Sequence, residues 1–461
     1  MSATPPLAAS TVDPARQRRD SRRAQAASFL GTTVEFYDFL LYASAAGLVF
    51  PKVFFGQLDP RLGATLSFVI LLSGYLARPL GGLVFGHFGD RFGRKNVLFV
   101  TLLLMGLVSV GIGLLPTYGA IGIAAPLALV GLRVIQGLAM GGEWGGATLM
   151  SMEHAGEKSR GLGASIATVG GPAGAVLATV VLALFSRMPD AQFLDWGWRI
   201  PFLMSAVIVL IGLYLRLRVT ESPDFQKALE AAADAHDSAL PLATVVTKFP
   251  GQVILGTLAG AAPLAVQGLL GSFMVPFVVS QHIVDRQSAL LMLAAGYLAQ
   301  IPTLMLFAHL SDRFGRRPVM IAAGVVSAAL IFPVFGLFTS RQPVLVLVAF
   351  LVGLMIVQSS MFGPLGAFLS EKFSTEARYT GASLSYQLGS IAGAGTIPLI
   401  ATSLVTPAHG LSYLGWYMIG LFVLALAAVL LSRETAGKAL PGSVATDRAT
   451  DGDPEPEFQS V

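Results

Sequence analysis

A chain of 461 residues that is 54% hydrophobic and only 12% charged, with a mean hydropathy of +0.70, has too little polar surface to clothe several water-soluble cores. Lipid must therefore be the solvent for most of it. The net charge of +4 gives no reason to propose a nucleic-acid partner, and the absence of cysteine excludes disulfides, thiolate metal sites and a cysteine nucleophile.

The first segment, 1–28, carries Arg16, Arg18, Arg19, Arg22 and Arg23 without an apolar core and is expected to be a disordered cytoplasmic tail. The apolar run after it is too long for a signal-peptide core and reads as an uncleaved first span. Stretches able to cross a hydrocarbon layer of about 30 Å fall near 29–50, 65–88, 97–116, 120–148, 160–186 and 199–217. A polar linker occupies 218–250, in which Ser222, Pro223 and Asp224 suit the start of a short surface helix. Six further spans follow near 251–280, 288–310, 318–339, 343–370, 380–403 and 412–432, and an acidic, Pro-rich tail at 433–461 is expected to be disordered. The prediction is an all-α integral membrane protein with twelve transmembrane helices.

An even number of spans puts both termini on one side. Of the 30 Lys and Arg, only Lys52, Arg61, Arg187, Arg199, Arg286 and Arg341 lie outside if the N-terminus is cytoplasmic, and Arg78 and Arg133 lie within spans. All the others are then cytoplasmic, a strong positive-inside bias. The expectation is a multi-pass protein of the inner membrane with both termini in the cytoplasm.

The halves resemble each other in register. Gly74-Tyr75-Leu76-Ala77 recurs as Gly296-Tyr297-Leu298-Ala299, and Asp90-Arg91-Phe92-Gly93-Arg94 recurs as Asp312-Arg313-Phe314-Gly315-Arg316, both shifted by 222. Gly163-Ala164-Ser165 recurs as Gly381-Ala382-Ser383, shifted by 218. Duplication predicts two pseudo-symmetric six-helix bundles, 29–217 and 251–432, with a substrate site between them that opens alternately to each side. Asp90 and Asp312 are expected near helix N-termini, where negative charge is favoured.

The stretch Gly86-His87-Phe88-Gly89-Asp90-Arg91-Phe92-Gly93-Arg94-Lys95 resembles the signature loop of the major facilitator superfamily, although the second copy has Ala308 where Gly86 stands. Glu35-Phe36-Tyr37-Asp38-Phe39, Arg78-Pro79-Leu80-Gly81-Gly82, and Arg133-Val134-Ile135-Gln136-Gly137 running on to Gly141-Gly142-Glu143-Trp144-Gly145-Gly146 are similar to its metabolite:proton symporters. That resemblance covers about 31–433. It implies the major facilitator fold, a functional monomer, and uptake of shikimate-like acids, dicarboxylates, proline or betaine with a proton. Asp90, Arg91, Arg94, Glu143, Asp312, Arg313 and Arg316 would then form a cytoplasmic gate.

Independently of any family, five charged residues cannot be moved to a membrane edge: Glu35, Asp38, Arg78, Arg133 and Glu143. Each costs about 2.5–3.5 kcal/mol at a helix centre on insertion scales, so they must pair or face water. At 1.5 Å per residue, Asp38 lies roughly 15 Å into the first span and Arg133 roughly 20 Å into the fourth, so the two can meet near the midplane. Glu35 and Asp38 share a helical face that Tyr42 continues. Asp38, Glu35 and Arg133 are the expected proton-coupling set, in which Asp38 takes a proton outside, is released from Arg133 and returns the proton inside. The alternative is a permanent Asp38–Arg133 pair that fixes helix register.

Arg78 either binds a substrate carboxylate or compensates Glu35, and Glu143 suits gate packing. The expected substrate-binding set is Arg78, Arg133, Tyr42, Gln136, Gln267, Gln358, Tyr386 and Gln387, although glutamines in membrane helices also serve as interhelical glue. The six histidines do not cluster, so no metal or cofactor is expected. Passive facilitation and proton-driven drug export stay open as transport alternatives. An intramembrane enzyme would need a nucleophile and base at matching depth, and the sequence shows none. The expected partners are a small-molecule substrate, the proton and the bilayer.

Overall fold

A computed structural model of the protein describes residues 14–92, 94–141, 143–153, 155, 159–217, 241–374 and 377–438. The N-terminal half contains α1 (Pro14–Leu48), α2 (Pro60–Phe92), α3 (Arg94–Leu114), α4 (124–153, broken between Met140 and Glu143), α5 (Arg160–Phe185) and α6 (Arg199–Leu217). The C-terminal half contains α7 (Pro250–Ser280), α8 (Arg286–Phe314), α9 (Arg316–Thr339), α10 (Pro343–Ser370), α11 (378–404) and α12 (Ser412–Leu431).

Among the described residues, eight of these helices are each long and apolar enough to cross a membrane, and Asp190–Gly197 with Arg199–Tyr214, bent by 40°, makes a ninth. The other three have local reasons for falling short. In α1 Glu35 and Asp38 dilute the apolar run, α3 contributes among the described residues the shorter apolar helix Phe99–Leu114, and in α11 Thr380, Ser383, Ser385, Gln387 and Ser390 lower the hydropathy.

The duplication seen in the sequence is repeated in the packing. In the first half α1 packs on α5, α2 on α4 and α3 on α6; in the second half α7 packs on α11, α8 on α10 and α9 on α12. The halves meet mainly along α5 with α8 and α2 with α11, which are equivalent pairs under the same repeat. The closest approach within a half is between α2 and α4. A Cβ added to Gly137 would lie 2.1 Å from the Gly74 carbonyl oxygen, so the backbones touch and only glycine fits.

Three helices of the second half are widened locally. π-helical turns interrupt α7 at Leu269–Met274, α10 at Gly353–Gln358 and α11 at Ile391–Gly395. Pro276 and Pro398 follow two of these turns; each lacks an N–H and clashes with the preceding turn, which favours the wider helix.

Three expectations for the chain ends and linker change. The first helix begins at Pro14, inside the segment expected to be a disordered tail, because Ala, Arg and Gln between 15 and 27 favour helix and Pro suits its first position. Within the linker, Pro241–Lys248 is helical and α7 begins at Pro250, while Ser222, Pro223 and Asp224 lie outside the described residues. The tail does not leave the bundle at 433. Glu434 accepts hydrogen bonds from the N–H groups of Arg316 (3.0 Å) and Arg317 (2.8 Å) at the start of α9. Burial raises its carboxyl, but these donors, with the N–H groups of Thr435 and Ala436, outweigh that and hold it below the usual carboxylate range.

Both ends of the interface are bridged. On the face opposite the termini, Arg286 pairs with Asp190 at 2.9 Å, donates to the Ser186 carbonyl and lies 3.9 Å from the ring centroid of Phe193. Arg61 donates to the Val405 carbonyl at 2.7 Å on the same face. The central cavity among the described residues measures about 10 Å³, the space of a single water.

If the α2–α4 contact sets the frame, Gly137→Ala should destabilise by about 1–3 kcal/mol through overpacking. Gly131→Ala in the same helix, where an added Cβ meets nothing within 4 Å, should be neutral. Thermal unfolding in detergent of the two variants beside wild type checks this.

Candidate functional site

The site is assembled around α1, where Glu35, Asp38, Phe39 and Tyr42 are all buried. The ring of Phe39 is shared by two cations. The Arg78 guanidinium of α2 lies 4.0 Å from its centroid and that of Arg133 of α4 lies 4.2 Å from it. Each arginine has a second ring: Tyr75 at 4.3 Å for Arg78 and Tyr42 at 4.1 Å for Arg133. A desolvated cation over an aromatic face gains about 2 kcal/mol, so two rings offset much of the cost of placing each guanidinium here. Gly74 gives Arg133 its room, since a Cβ there would lie 2.5 Å from Nε.

The hydrogen bonds of the two arginines are incomplete. Arg133 Nη1 donates to Gln136 Oε1 at 2.5 Å and Arg78 Nη2 to the Met140 sulfur at 2.9 Å. Arg78 Nε, Arg133 Nε and Arg133 Nη2 are buried without a hydrogen-bond partner. Leaving such donors unmade is costly, and an anion entering between the halves would satisfy them.

Asp38 and Arg133 do not meet, contrary to the expectation from their depths. Among the described residues no ion pair joins them. Asp38 Oδ1 accepts from Ser205 of α6, its Oδ2 has no partner, and Ser109 of α3 also faces the carboxyl. Gln136 Nε2 donates to Ser109 Oγ at 3.1 Å, so the carboxyl and the guanidinium communicate through Ser109 and Gln136. The depth estimate was a matter of rise alone. Neighbouring positions on a helix point about 100° apart, so Asp38 turns to α3 and α6 while Phe39 turns to the arginines.

Of the other expected substrate-binding residues, Gln267 and Tyr386 line the central cavity together with Phe39, Tyr75, Arg78 and Ser390. Gln358 is buried in the π turn of α10 with neither amide atom hydrogen-bonded. Gln387 is placed differently: its Nε2 donates to the Gly141 carbonyl at 3.2 Å, where α4 breaks, so it stitches the halves together and does not line the cavity.

At the termini face, Asp312 stands in the last turn of α8. Its two oxygens accept from the N–H groups of Gly161 and Leu162, each at 2.8 Å, at the start of α5 in the other half. The favourable helix end is thus supplied by another helix. Arg316 pairs with Asp312 at 2.7 Å and with Glu371 at 3.0 Å, and Thr435 donates to Glu371. Arg313 is exposed and stands outside this network. The side chains of Asp90, Arg91, Arg94 and Glu143 lie outside the described residues.

Sequence reasoning missed Ser109, Ser205, Phe39, Tyr75 and Glu371. Two of these carried a signal. Tyr75 belongs to the repeated Gly-Tyr-Leu-Ala stretch, and Glu371 follows Glu153 by 218, the offset of Gly163 and Gly381. The serines carried none.

A twelve-helix bundle with a buried, charged centre between two duplicated halves defines a membrane transporter, not an enzyme. Residues 24–242 match the family of sugar (and other) transporters, and residues 257–450 match the major facilitator superfamily. The inner membrane metabolite transport protein YhjE of Escherichia coli K12 is 41% identical over 425 residues, covering 90% of this chain and 94% of that protein. The shikimate transporter of the same strain is 38% identical, with coverages of 90% and 94%. The proline/betaine transporter of that strain is 31% identical, with coverages of 93% and 86%. The fold is also that of the E. coli xylose transporter XylE in a partially occluded inward open conformation, with a TM-score of 0.73, 20% identity, and coverage of 92% of this chain and 100% of that one. The chain belongs to the major facilitator superfamily, among its metabolite transporters.

Lysine at position 133 would keep the charge but lose the planar face that stacks on Phe39 and Tyr42. Arg133→Lys is therefore expected to lower transport on the order of tenfold at unchanged membrane abundance. Uptake assays normalised to immunoblot signal check this.

Proposed function

We propose that this chain is a proton symporter that takes up a small organic acid or zwitterionic metabolite across the inner membrane, working as a monomer with both termini in the cytoplasm. The observation that carries the reading is the separation of two functions at one depth. Arg78 and Arg133 hold buried, partnerless N–H donors suited to a carboxylate, while Asp38, linked to Arg133 through Ser109 and Gln136, keeps a buried oxygen without a partner.

In this mechanism the halves 29–217 and 251–432 rock about the site, and opening to the outside wets it. Asp38 takes a proton from outside, and the substrate carboxylate binds Arg78 and Arg133 against the rings of Phe39 and Tyr42. Gln267, Gln358 and Tyr386 of the second half hydrogen-bond the rest of the substrate and set its identity. A buried carboxylate without a counter-charge resists leaving water, so closure is favoured only after protonation. Opening to the cytoplasm rehydrates Asp38, which loses its proton as the substrate leaves. Glu35 lies within electrostatic reach of Arg78 and keeps the site close to neutral when empty. The names of the relatives, a shikimate transporter and a proline/betaine transporter, support a carboxylate-bearing substrate. The concentration of Lys and Arg on one side supports the orientation.

Uptake of radiolabelled shikimate, 2-oxoglutarate, citrate, proline and betaine into proteoliposomes, with and without an inward proton gradient, tests the reading. Wild type should concentrate one of these only with the gradient. Asp38→Asn should lose accumulation while exchange across the membrane survives. Equilibration without concentration in wild type would make the protein a facilitator and the carboxyl structural.

A further inference from the structure

Away from the transport site, the outer surface of the second half carries a crevice of about 350 Å³ between α8 and α9, with α10 as its floor. Its size falls in the range of small-molecule sites, roughly 300–1,000 Å³, but its walls are almost wholly apolar. Phe307, Leu310 and Phe314 form one side, Val319 and Val326 the other, and Ile356 the floor. Phe314, Val326 and Ile356 are 59%, 47% and 37% exposed, so the crevice opens to the membrane. The polar group at its base, Ser360, is matched by Ser327, whose hydroxyl also donates to the Val357 carbonyl.

We infer that this crevice holds one acyl chain of an anionic phospholipid whose phosphate rests on Arg313. The length fits a chain: from Pro318 to Val326 α9 rises about 12 Å, against about 15 Å for half of a hydrocarbon core of about 30 Å. The mouth supplies the charge. Arg313 is exposed beside the Phe314 ring at 5.3 Å and makes no ion pair among the described residues. Its neighbours are committed elsewhere. Arg316 is held by Asp312 and Glu371, and Arg317 donates to the carbonyls of Val429 and Leu430. The described acids at this end are engaged as well, Asp312 by α5 and Arg316, Glu371 by Arg316 and Thr435, Glu434 by the start of α9. A cation at the edge of an apolar slot, inside a membrane, selects a lipid with a net negative headgroup.

Two other occupants are less suited. Residues 439–461 include Asp447, Asp451, Asp453, Glu455 and Glu457, which an intramembrane slot would not admit. A second copy of the chain would present a helix, which is about 10–12 Å wide with side chains and too broad for the space between two adjoining helices. The inner wall gives the site a consequence. Ile356 lies in the π turn 353–358 that also carries the buried Gln358, so a bound chain presses on the turn that holds this glutamine.

Native mass spectrometry of the delipidated full-length protein, with phosphatidylglycerol or phosphatidylcholine of identical chains, tests the site. Wild type should retain phosphatidylglycerol about fivefold better than phosphatidylcholine. Arg313→Gln, at an exposed position, should abolish that preference without changing the melting temperature. Ala322→Phe, which fills the slot, should reduce retention of both lipids. Equal retention of the two lipids by wild type, or a preference that survives Arg313→Gln, overturns the proposal. So does a lipid-free dimer, which would make a second copy the occupant, or a gain of lipid on truncation after Lys438, which would make the tail the occupant.

Discussion

The structure depends on one constraint: a charge placed in hydrocarbon must be compensated by the protein itself. Arg78 and Arg133 are both buried, and no carboxylate among the described residues pairs with Arg133. The rings of Phe39, Tyr42 and Tyr75 take that place. An aromatic face stabilises a cation without neutralising it, so the net attraction for an anion persists. A full ion pair would have cancelled it. The frame follows from the same need, because the rings face the guanidiniums only if α2 and α4 lie close enough to present both to α1. The contact of Gly137 with the Gly74 backbone provides that closeness.

The second half meets a different requirement. Its spans hold no charge at depth and instead contain three π-helical turns, in α7, α10 and α11, and a buried glutamine with a free amide. Neutral polar groups cost less to leave briefly unpaired than charges do, and widened turns let helices bend without unfolding. A charged half and a neutral half thus face each other across the central cavity. The closures at the two ends differ as well. Toward the termini, Asp312 caps α5 of the opposite half and Arg316 ties it to Glu371, with Glu434 and Thr435 of the following segment attached. On the other face Arg286 reaches across to Asp190, Ser186 and Phe193, and Arg61 to the Val405 carbonyl.

How much of this could be read from the sequence depended on whether a property is periodic. Apolar stretches, their duplication and the depth of charged residues are one-dimensional, and they predicted the twelve spans, the two halves and the burial of Asp38, Arg78 and Arg133. Direction around a helix axis is harder. Asp38 and Arg133 share a depth, but one residue of rotation sends Asp38 to Ser205 and leaves Phe39 against the arginine. Ser109 and Ser205 were invisible because a serine in a membrane helix usually bonds its own backbone, as Ser67 and Ser165 do here. Asp312 does meet a helix N-terminus as expected, but which helix supplies it was not legible, since α8 runs on to Phe314 and the N–H groups belong to Gly161 and Leu162. Helix ends depend on capping partners, and those of Asp312 come from α5, 150 residues earlier in the chain.

The central claim is that anion and proton occupy separate groups in one buried site. Proton uptake on substrate binding, followed with a pH indicator in weakly buffered detergent solution, tests it most directly. Wild type should take up a proton with each carboxylate substrate bound, and Asp38→Asn should bind the same substrate without proton uptake. Binding without proton uptake by wild type, or unchanged uptake in Asp38→Asn, would contradict the account.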